Sequence, residues 1–339
     1  MTTARIHIGI AHYPGALLSA VQGLAEQFFL ANRICRERGM GEIFQTIVFD
    51  SRQLGREEGG SAEEGSEEGG LPDTLQVVIL PPCLDDDAYL EPPPPLLDWI
   101  SRQHRGGAII CSVCAGAFVL AQTGLLNGRR VTTHWALADA FAARFPEVRV
   151  DSGKLLINDT DIITAGGLMS WVDLGLELVA QFSDSQVMRQ LGKYLIVDTG
   201  AREQSYYRSF TPKLDHGDEV IVRVQHQLQR EFSQSLKVRD LAMQVHLTER
   251  TFLRRFVSAT GLKPTHYIQR LRIQKACELI ETSALAFERV AENVGYEDLS
   301  AFRKTFIRIT GQTPREFKKR FVGIGPGQRN GTVTAEDGA

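Results

Sequence analysis

The 339-residue sequence has no apolar run near the roughly 18 residues that a membrane-spanning helix needs. Its start, MTTARIHIGIAHYPG, puts no basic region ahead of a long apolar stretch. Neither a membrane protein nor a signal-bearing precursor is expected; a soluble, cytoplasmic chain is. Cysteine is sparse. Cys35, Cys83, Cys111, Cys114 and Cys277 are too few, too scattered and odd in number for a disulfide framework, which fits a reducing compartment. The histidines show no metal-ligand spacing, so neither a metal nor another cofactor is expected. What is abundant is apolar residue, 43% of the chain, enough for two domains with a core each.

A formal charge of −3 argues against nucleic acid only if it is evenly spread, and it is not. Residues 217–321 hold 19 Lys and Arg against 12 Asp and Glu, while the rest of the chain carries an excess of acids. One end of the molecule favours phosphates and the other does not.

From Arg5 the runs IHIGI, a helical stretch over about 17–35, IFQTIVF and LQVVIL alternate strand and helix as parallel sheets do. The pattern continues through a helix over 94–104, the buried strand GGAIICSV, the helix AGAFVLAQTG, the strands VRVDSG, KLLIND and DIITAGG, and a helix over 169–182. The expected fold is a three-layer α/β domain over 1–200 followed by an all-α domain. Within the first domain, REEGGSAEEGSEEGG at 56–70 has the composition of a solvated loop. A polar linker is expected over 201–216, a helical domain over 217–321 and a flexible tail over 322–339. The stretch 188–197 reads as a helix that packs back on the first domain or helps a dimer form.

The helical domain contains a repeat. RTFLRRFVSATGLKP matches SAFRKTFIRITGQTP at an offset of 50, pairing Phe252 with Phe302, Phe256 with Phe306, Gly261 with Gly311 and Pro264 with Pro314. Upstream, VRDLAMQV matches FERVAENV at an offset of 49, pairing Ala242 with Ala291 and Val245 with Val294. Each copy reads as a short helix, a tight turn and a second helix, the arrangement that offers its second helix to a DNA major groove. Two phenylalanines four apart face inward, which turns Arg250, Leu253 and Arg254 outward in the first copy and Ser300, Arg303 and Lys304 in the second. These six are the candidate DNA-binding residues. A helix over 265–281, carrying Arg270, Arg272 and Lys275, would hold the two readers roughly 34 Å apart, the spacing of successive major-groove faces. The plainer reading is two hairpins that only pack, with solvated Arg and Lys.

On these residues, including the GxxP after each reader helix and the segment VGYEDLSAFRKTF, the span 217–321 resembles the DNA-binding domain of AraC-type regulators. The resemblance implies promoter DNA as a partner and a homodimer, and leaves room for a contact with RNA polymerase.

In the first domain, GGAIICSVCAGAFVLAQTGLLNG puts Cys114 at a strand-to-helix elbow, where helix N–H groups can lower a thiol pKa. With TTHW at 132–135 and TAGGLMSWVDLGLELV further on, residues 6–182 resemble the DJ-1/PfpI-like domain that precedes AraC-type domains in bacterial regulators of GlxA type. In enzymes of that superfamily an acid from the loop after the first strand approaches the elbow cysteine. Here the matching position is Ala20, next to Ser19, so the acid is missing, and His134 is the nearest candidate base. Three readings of Cys114 stay open: a nucleophile, the wall of a ligand pocket with Ser19 and His134, or a buried apolar side chain. The CxxC formed by Cys111 and Cys114 is a weak redox signal, because Cys111 sits within the strand. The expected function is a metabolite-responsive transcription regulator rather than an enzyme, the resemblance implying a small, often nitrogen-containing, effector. The alternative is a DJ-1-like hydrolase, hydratase or glyoxalase using Cys114.

Overall fold

Isoleucine and valine dominate the buried segments of the first domain, and side chains stiff at χ1 pack well on a pleated surface. In the computed structural model, which describes residues 5–54, 75–85, 88–200, 202–207 and 209–322, these segments form a six-stranded sheet. The acidic stretch at 56–70 and the tail from 323 lie outside the described residues. By internal contacts the chain divides into Met1–Gln204 and Ser205–Ala339.

In the first unit, β1 (Ile6–His12) leads through α1 (Leu18–Glu37) to β2 (Phe44–Asp50), and β3 (Val77–Leu80) through α2 (Pro94–Arg105) to β4 (Ile109–Val113). There follow α3 (Gly116–Ala121), β5 (Arg130–Val131), α4 (Ala138–Arg144), β6 (Arg149–Val150), β7 (Leu156–Asp159), β8 (Ile162–Ala165), α5 (Trp171–Phe182) and α6 (Ser185–Leu195). The order across the sheet is β2-β1-β3-β4-β8-β7. All neighbours are parallel except β7 and β8, whose two-residue connection, with Thr160 at φ 66°, is too short for a crossover and makes a hairpin. β5 and β6 pair apart from the main sheet.

The chain moves from β1 to one neighbour, β2, and then returns to its other neighbour, β3. Right-handed crossovers therefore put α1 and α2 on opposite faces, and α1 indeed packs with α5 and α6 while α2 packs with α3. The unit is a three-layer α/β structure whose strand order reverses between β1 and β3, and open sheets of this kind place ligands at the carboxyl ends of the strands at such a reversal.

The second unit is all helix: α7 (Glu219–Glu231), α8 (Val238–Gln244), α9 (Glu249–Thr260), α10 (Pro264–Thr282), α11 (Phe287–Asn293), α12 (Leu299–Thr310) and α13 (Pro314–Phe321). Helices α8 and α11 are too short to be stable alone, so each needs tertiary packing. Phe252, Phe256 and Ala242 gather with Tyr267, Ile268 and Leu271 from the first half of α10. Phe302, Phe306 and Ala291 gather with Ile273, Ala276 and Ile280 from its second half. One helix, about 28 Å long at its 19 residues, thus supplies a wall of both cores.

The turn between α8 and α9 covers 245–248, whereas that between α11 and α12 covers 294–298. That one extra residue is why the sequence repeat shifts from an offset of 49 to one of 50. Each GxxP also has a local cause. Gly261 and Gly311 close α9 and α12 in the left-handed region at φ 70° and 76°, and Pro264 and Pro314 open the next helix where no N–H is required.

Arg272 on α10 joins the two hairpins. Its guanidinium donates to Phe232 O (2.7 Å) and Gln234 O (2.7 Å) beyond α7 and to Gly295 O (2.8 Å) in the second turn, and lies 5.5 Å from the Tyr296 ring centroid. At Gly295, φ is 84° and a Cβ would stand 2.3 Å from the Ser233 carbonyl oxygen, so only glycine allows this approach. Gly295→Ala should therefore destabilise the second unit by about 2 kcal/mol or more, through both a left-handed alanine and a backbone clash. Gly261→Ala, at φ 70° with nothing within 4 Å, should cost only the conformational part, about 1 kcal/mol. Urea unfolding of the two full-length variants, followed by helical circular dichroism, checks the order; equal losses would contradict the close approach.

Candidate functional site

The second unit presents two helices built alike. Thr248 caps α9, its hydroxyl accepting from Thr251 N–H at 3.3 Å; Asp298 caps α12, its carboxylate accepting from Ser300 N–H at 2.8 Å. Phe252, Phe256, Phe302 and Phe306 are fully buried. On the opposite faces Arg250, Arg254, Ser300, Arg303 and Lys304 are exposed and Leu253 is half-buried. Arg303 has a loose contact with Glu288 at 3.9 Å, while Arg250, Arg254 and Lys304 have no ion-pair partner among the described residues. These exposed cations can reach a phosphate or a guanine edge without first giving up a strong bond.

Neighbouring arginines behave differently. Arg255 grips the Asp218 carboxylate through two bonds of 2.8 and 2.6 Å and holds it below the usual carboxylate range, which fastens α9 to the start of α7. Arg308 donates to Gln269 at 2.8 Å. Arg272, which the sequence shows only as one cation on the spacer helix, is the joint described above. Sequence counting treats all of these as one basic patch; packing sorts them into structural clamps and unpaired side chains.

In the first unit the carboxyl ends of β1, β3 and β4 bring Tyr13, Cys83 and Cys114 together. Cys114 is the strained residue of the elbow at φ 54°, a conformation that costs a side-chain-bearing residue of order 1–2 kcal/mol. Two bonds hold it there: Cys114 N–H donates to Ala165 O (2.8 Å) and the Thr133 hydroxyl donates to Cys114 O (2.7 Å). Gly116 completes the turn, because a Cβ there would stand 2.6 Å from Leu80 O and 2.8 Å from Pro81 O. The Tyr13 hydroxyl donates to Pro81 O, and the Cys83 thiol to Asp85 O (3.3 Å) and Pro14 O (3.7 Å).

The thiol does not have the lowered pKa that the elbow leads one to expect from sequence. Burial pushes Cys114 up to about 11, and although a bond from Ala115 N–H pulls the other way, the six-residue α3 does not offset the loss of water. Burial likewise raises Tyr13 and Cys111 and lowers His134. Tyr13, Cys111, Cys114 and His134 are therefore neutral near pH 7.

The other expected pocket residues are placed less closely. Ala20, where an acid was sought, is fully buried in α1, and Ser19 beside it is exposed. His134 is half-buried against Trp135, its Nδ1 accepting from Ala136 N–H at 3.1 Å. Among the described residues no hydrogen bond joins Ser19 or His134 to Cys114. Tyr13 and Cys83, which sequence reasoning missed, stand nearer because strand order rather than sequence proximity assembles the site. Their only sequence signal is a place just after an apolar strand. Among the described residues no group of His, Cys, Asp and Glu is arranged to hold a metal ion.

Comparison with known proteins fits this division. A model of the DJ-1/PfpI family matches residues 72–181 and a helix-turn-helix domain model matches 241–320. The transcriptional regulator CdhR of Pseudomonas aeruginosa is 28% identical over 63% of this chain and 63% of its own, and the regulator ArgR of the same species is 24% identical over 93% and 94%. The chain therefore combines a DJ-1/PfpI-family region with a helix-turn-helix region, and is similar to transcriptional regulators. The match thus covers just under two thirds of CdhR and nearly all of ArgR. An isonitrile hydratase of Pseudomonas putida is also similar, 34% identical over 32% of this chain and 45% of its own, so the first unit's family includes an enzyme.

With Cys114 protonated at neutral pH, alkylation by iodoacetamide at pH 7 should run at least tenfold slower than for a free thiol. The rate should still be climbing at pH 9, because the thiolate fraction rises toward the raised pKa. Peptide mapping of Cys114 after timed quenches measures this; a rate that levels off near pH 6 would contradict the burial argument.

Proposed function

We propose that the chain is a metabolite-responsive regulator of transcription in which α9 and α12 read promoter DNA through Arg250, Leu253, Arg254, Ser300, Arg303 and Lys304. The observation that carries this reading is the sorting of cations. Those on the outward faces of the two matching helices are exposed and available, while Arg255 and Arg272 are spent on holding the helices in place. Binding as a homodimer, in the cytoplasm, with a contact to RNA polymerase when it activates, belongs to the same proposal; no described helix is long and apolar enough to cross a membrane.

For Arg254→Ala combined with Lys304→Ala, DNA affinity should fall at least tenfold at moderate salt. The slope of log affinity against log salt should shrink by about 1 for each phosphate that is no longer neutralised. Fluorescence anisotropy on a duplex selected by the full-length protein from a random pool reads both; unchanged affinity and slope would remove these residues from the interface.

The first unit is proposed as the sensor, with the crevice around Cys114 as the effector site and Ser19 and His134 at its margin. A neutral thiol, phenol and imidazole make a surface suited to holding a small molecule, and with alanine at position 20 no acid among the described residues is hydrogen-bonded to the Cys114 thiol. The hydratase-like alternative is favoured by the similarity to the Pseudomonas putida enzyme. Thermal-shift measurements on the full-length protein against a panel of nitrogen-containing metabolites separate the two. A compound recovered unchanged that raises the melting temperature by several degrees supports the sensor, whereas one that is consumed supports the enzyme.

A further inference from the structure

Gln204 falls in the stretch whose polar composition reads as a linker, yet it is 2% exposed. Its carboxamide fills a socket in the first unit. Nε2 donates to Thr132 Oγ1 (3.0 Å), Thr133 O (2.9 Å) and Lys154 O (2.8 Å), and Oε1 accepts from Trp135 N–H (3.1 Å). Its backbone N–H donates to Gly153 O at 2.9 Å. Gly166 leaves the room, since a Cβ there would stand 1.8 Å from Nε2. Donor and acceptor ends of one side chain are both matched, so no residue other than glutamine reproduces the fit.

The socket is also the back of the elbow. Thr133, whose carbonyl accepts from Gln204, donates its hydroxyl to Cys114 O at 2.7 Å, and Trp135, whose N–H meets Gln204, directly follows His134. A molecule that settles against Cys114 or His134 therefore acts on the segment 132–135, in which Thr132, Thr133 and Trp135 grip Gln204. One residue later the second unit begins, and it has its own hold on the chain. Tyr206 O accepts from Gln312 Nε2 (3.4 Å), and the Arg320 guanidinium lies 4.7 Å from the Tyr206 ring centroid and 5.8 Å from that of Tyr207. The backbone is thus clamped by one unit at Gln204 and by the other at Tyr206, with only Ser205 between.

We propose that Gln204 is a latch: a positioning residue through which occupancy of the elbow pocket is passed to the DNA-binding unit. This rests on the function proposed above and adds the route by which its two halves communicate. Binding couplings are reciprocal, so DNA on the second unit must alter the socket in the first, and that direction can be tested without knowing the effector.

The experiment is hydrogen–deuterium exchange on the full-length protein, with and without a mixed-sequence duplex of about 40 base pairs at low salt, where binding rests on phosphate contacts. DNA should change exchange in peptides covering 132–135 and 202–204 at least twofold in the wild type. In Gln204→Ala the DNA-dependent change should be confined to 205–322. Thr132→Val, which removes one of the three acceptors, should give an intermediate response and carries the test if Gln204→Ala fails to fold. A wild type whose first unit ignores bound DNA overturns the latch, as does a response that survives Gln204→Ala. If the duplex does not bind at all, the DNA reading itself falls and the latch with it.

Discussion

The second unit depends on one cation that never reaches the reader faces. Neither short hairpin can bury its own apolar face, so both lean on α10, and the place where they meet is lined by the carbonyls of Phe232, Gln234 and Gly295. Carbonyls brought together without a donor would be costly to desolvate. Arg272 supplies three bonds from one planar group, which a lysine could not do in the same geometry. The spacing of the readers, and hence any fixed register on DNA, follows from that joint and from the absence of a Cβ at Gly295.

The first unit shows the opposite use of a cysteine elbow. Its backbone retains the strain that exposes a nucleophile in a catalytic elbow, but burial keeps the thiol protonated and the position of the expected acid is filled by alanine. On the proposed reading the same geometry serves as the wall of a ligand pocket. The strain at Cys114 is held by Thr133, and Thr133 also grips Gln204, so the energy that shapes the elbow is tied to the point where the chain leaves the unit. A scaffold whose family includes an enzyme can in this way present a pocket whose state is felt elsewhere.

Much of this was legible in the sequence, for physical reasons. Apolar alternation marked the strands of the main sheet, and the repeat located both hairpins because Phe252, Phe256, Phe302 and Phe306 must recur at helical spacing. The change of offset also had meaning, one residue more in the second turn. The short α4 and β5 escaped notice because a seven-residue helix and a two-residue strand leave too brief a pattern to read, whereas β6 lies within the run VRVDSG that reads as a strand. The run KLLIND marked β7 as a strand, but its antiparallel direction was hidden in the length of a turn. Gln204 was read as linker because composition records polarity but not partners. Arg255 and Arg272 were indistinguishable from Arg254 by charge, and the thiol pKa of Cys114 could not be judged without knowing how much water the fold removes.

The central claim is that two equivalent helices on one rigid spacer present their cations to successive turns of one DNA face. Hydroxyl-radical footprinting of the full-length protein on a duplex selected from a random pool tests it most directly. The account predicts, for each bound protomer, two protected patches centred about one helical turn, roughly 10 base pairs, apart on the same face. A single patch, or two on opposite faces, would contradict it.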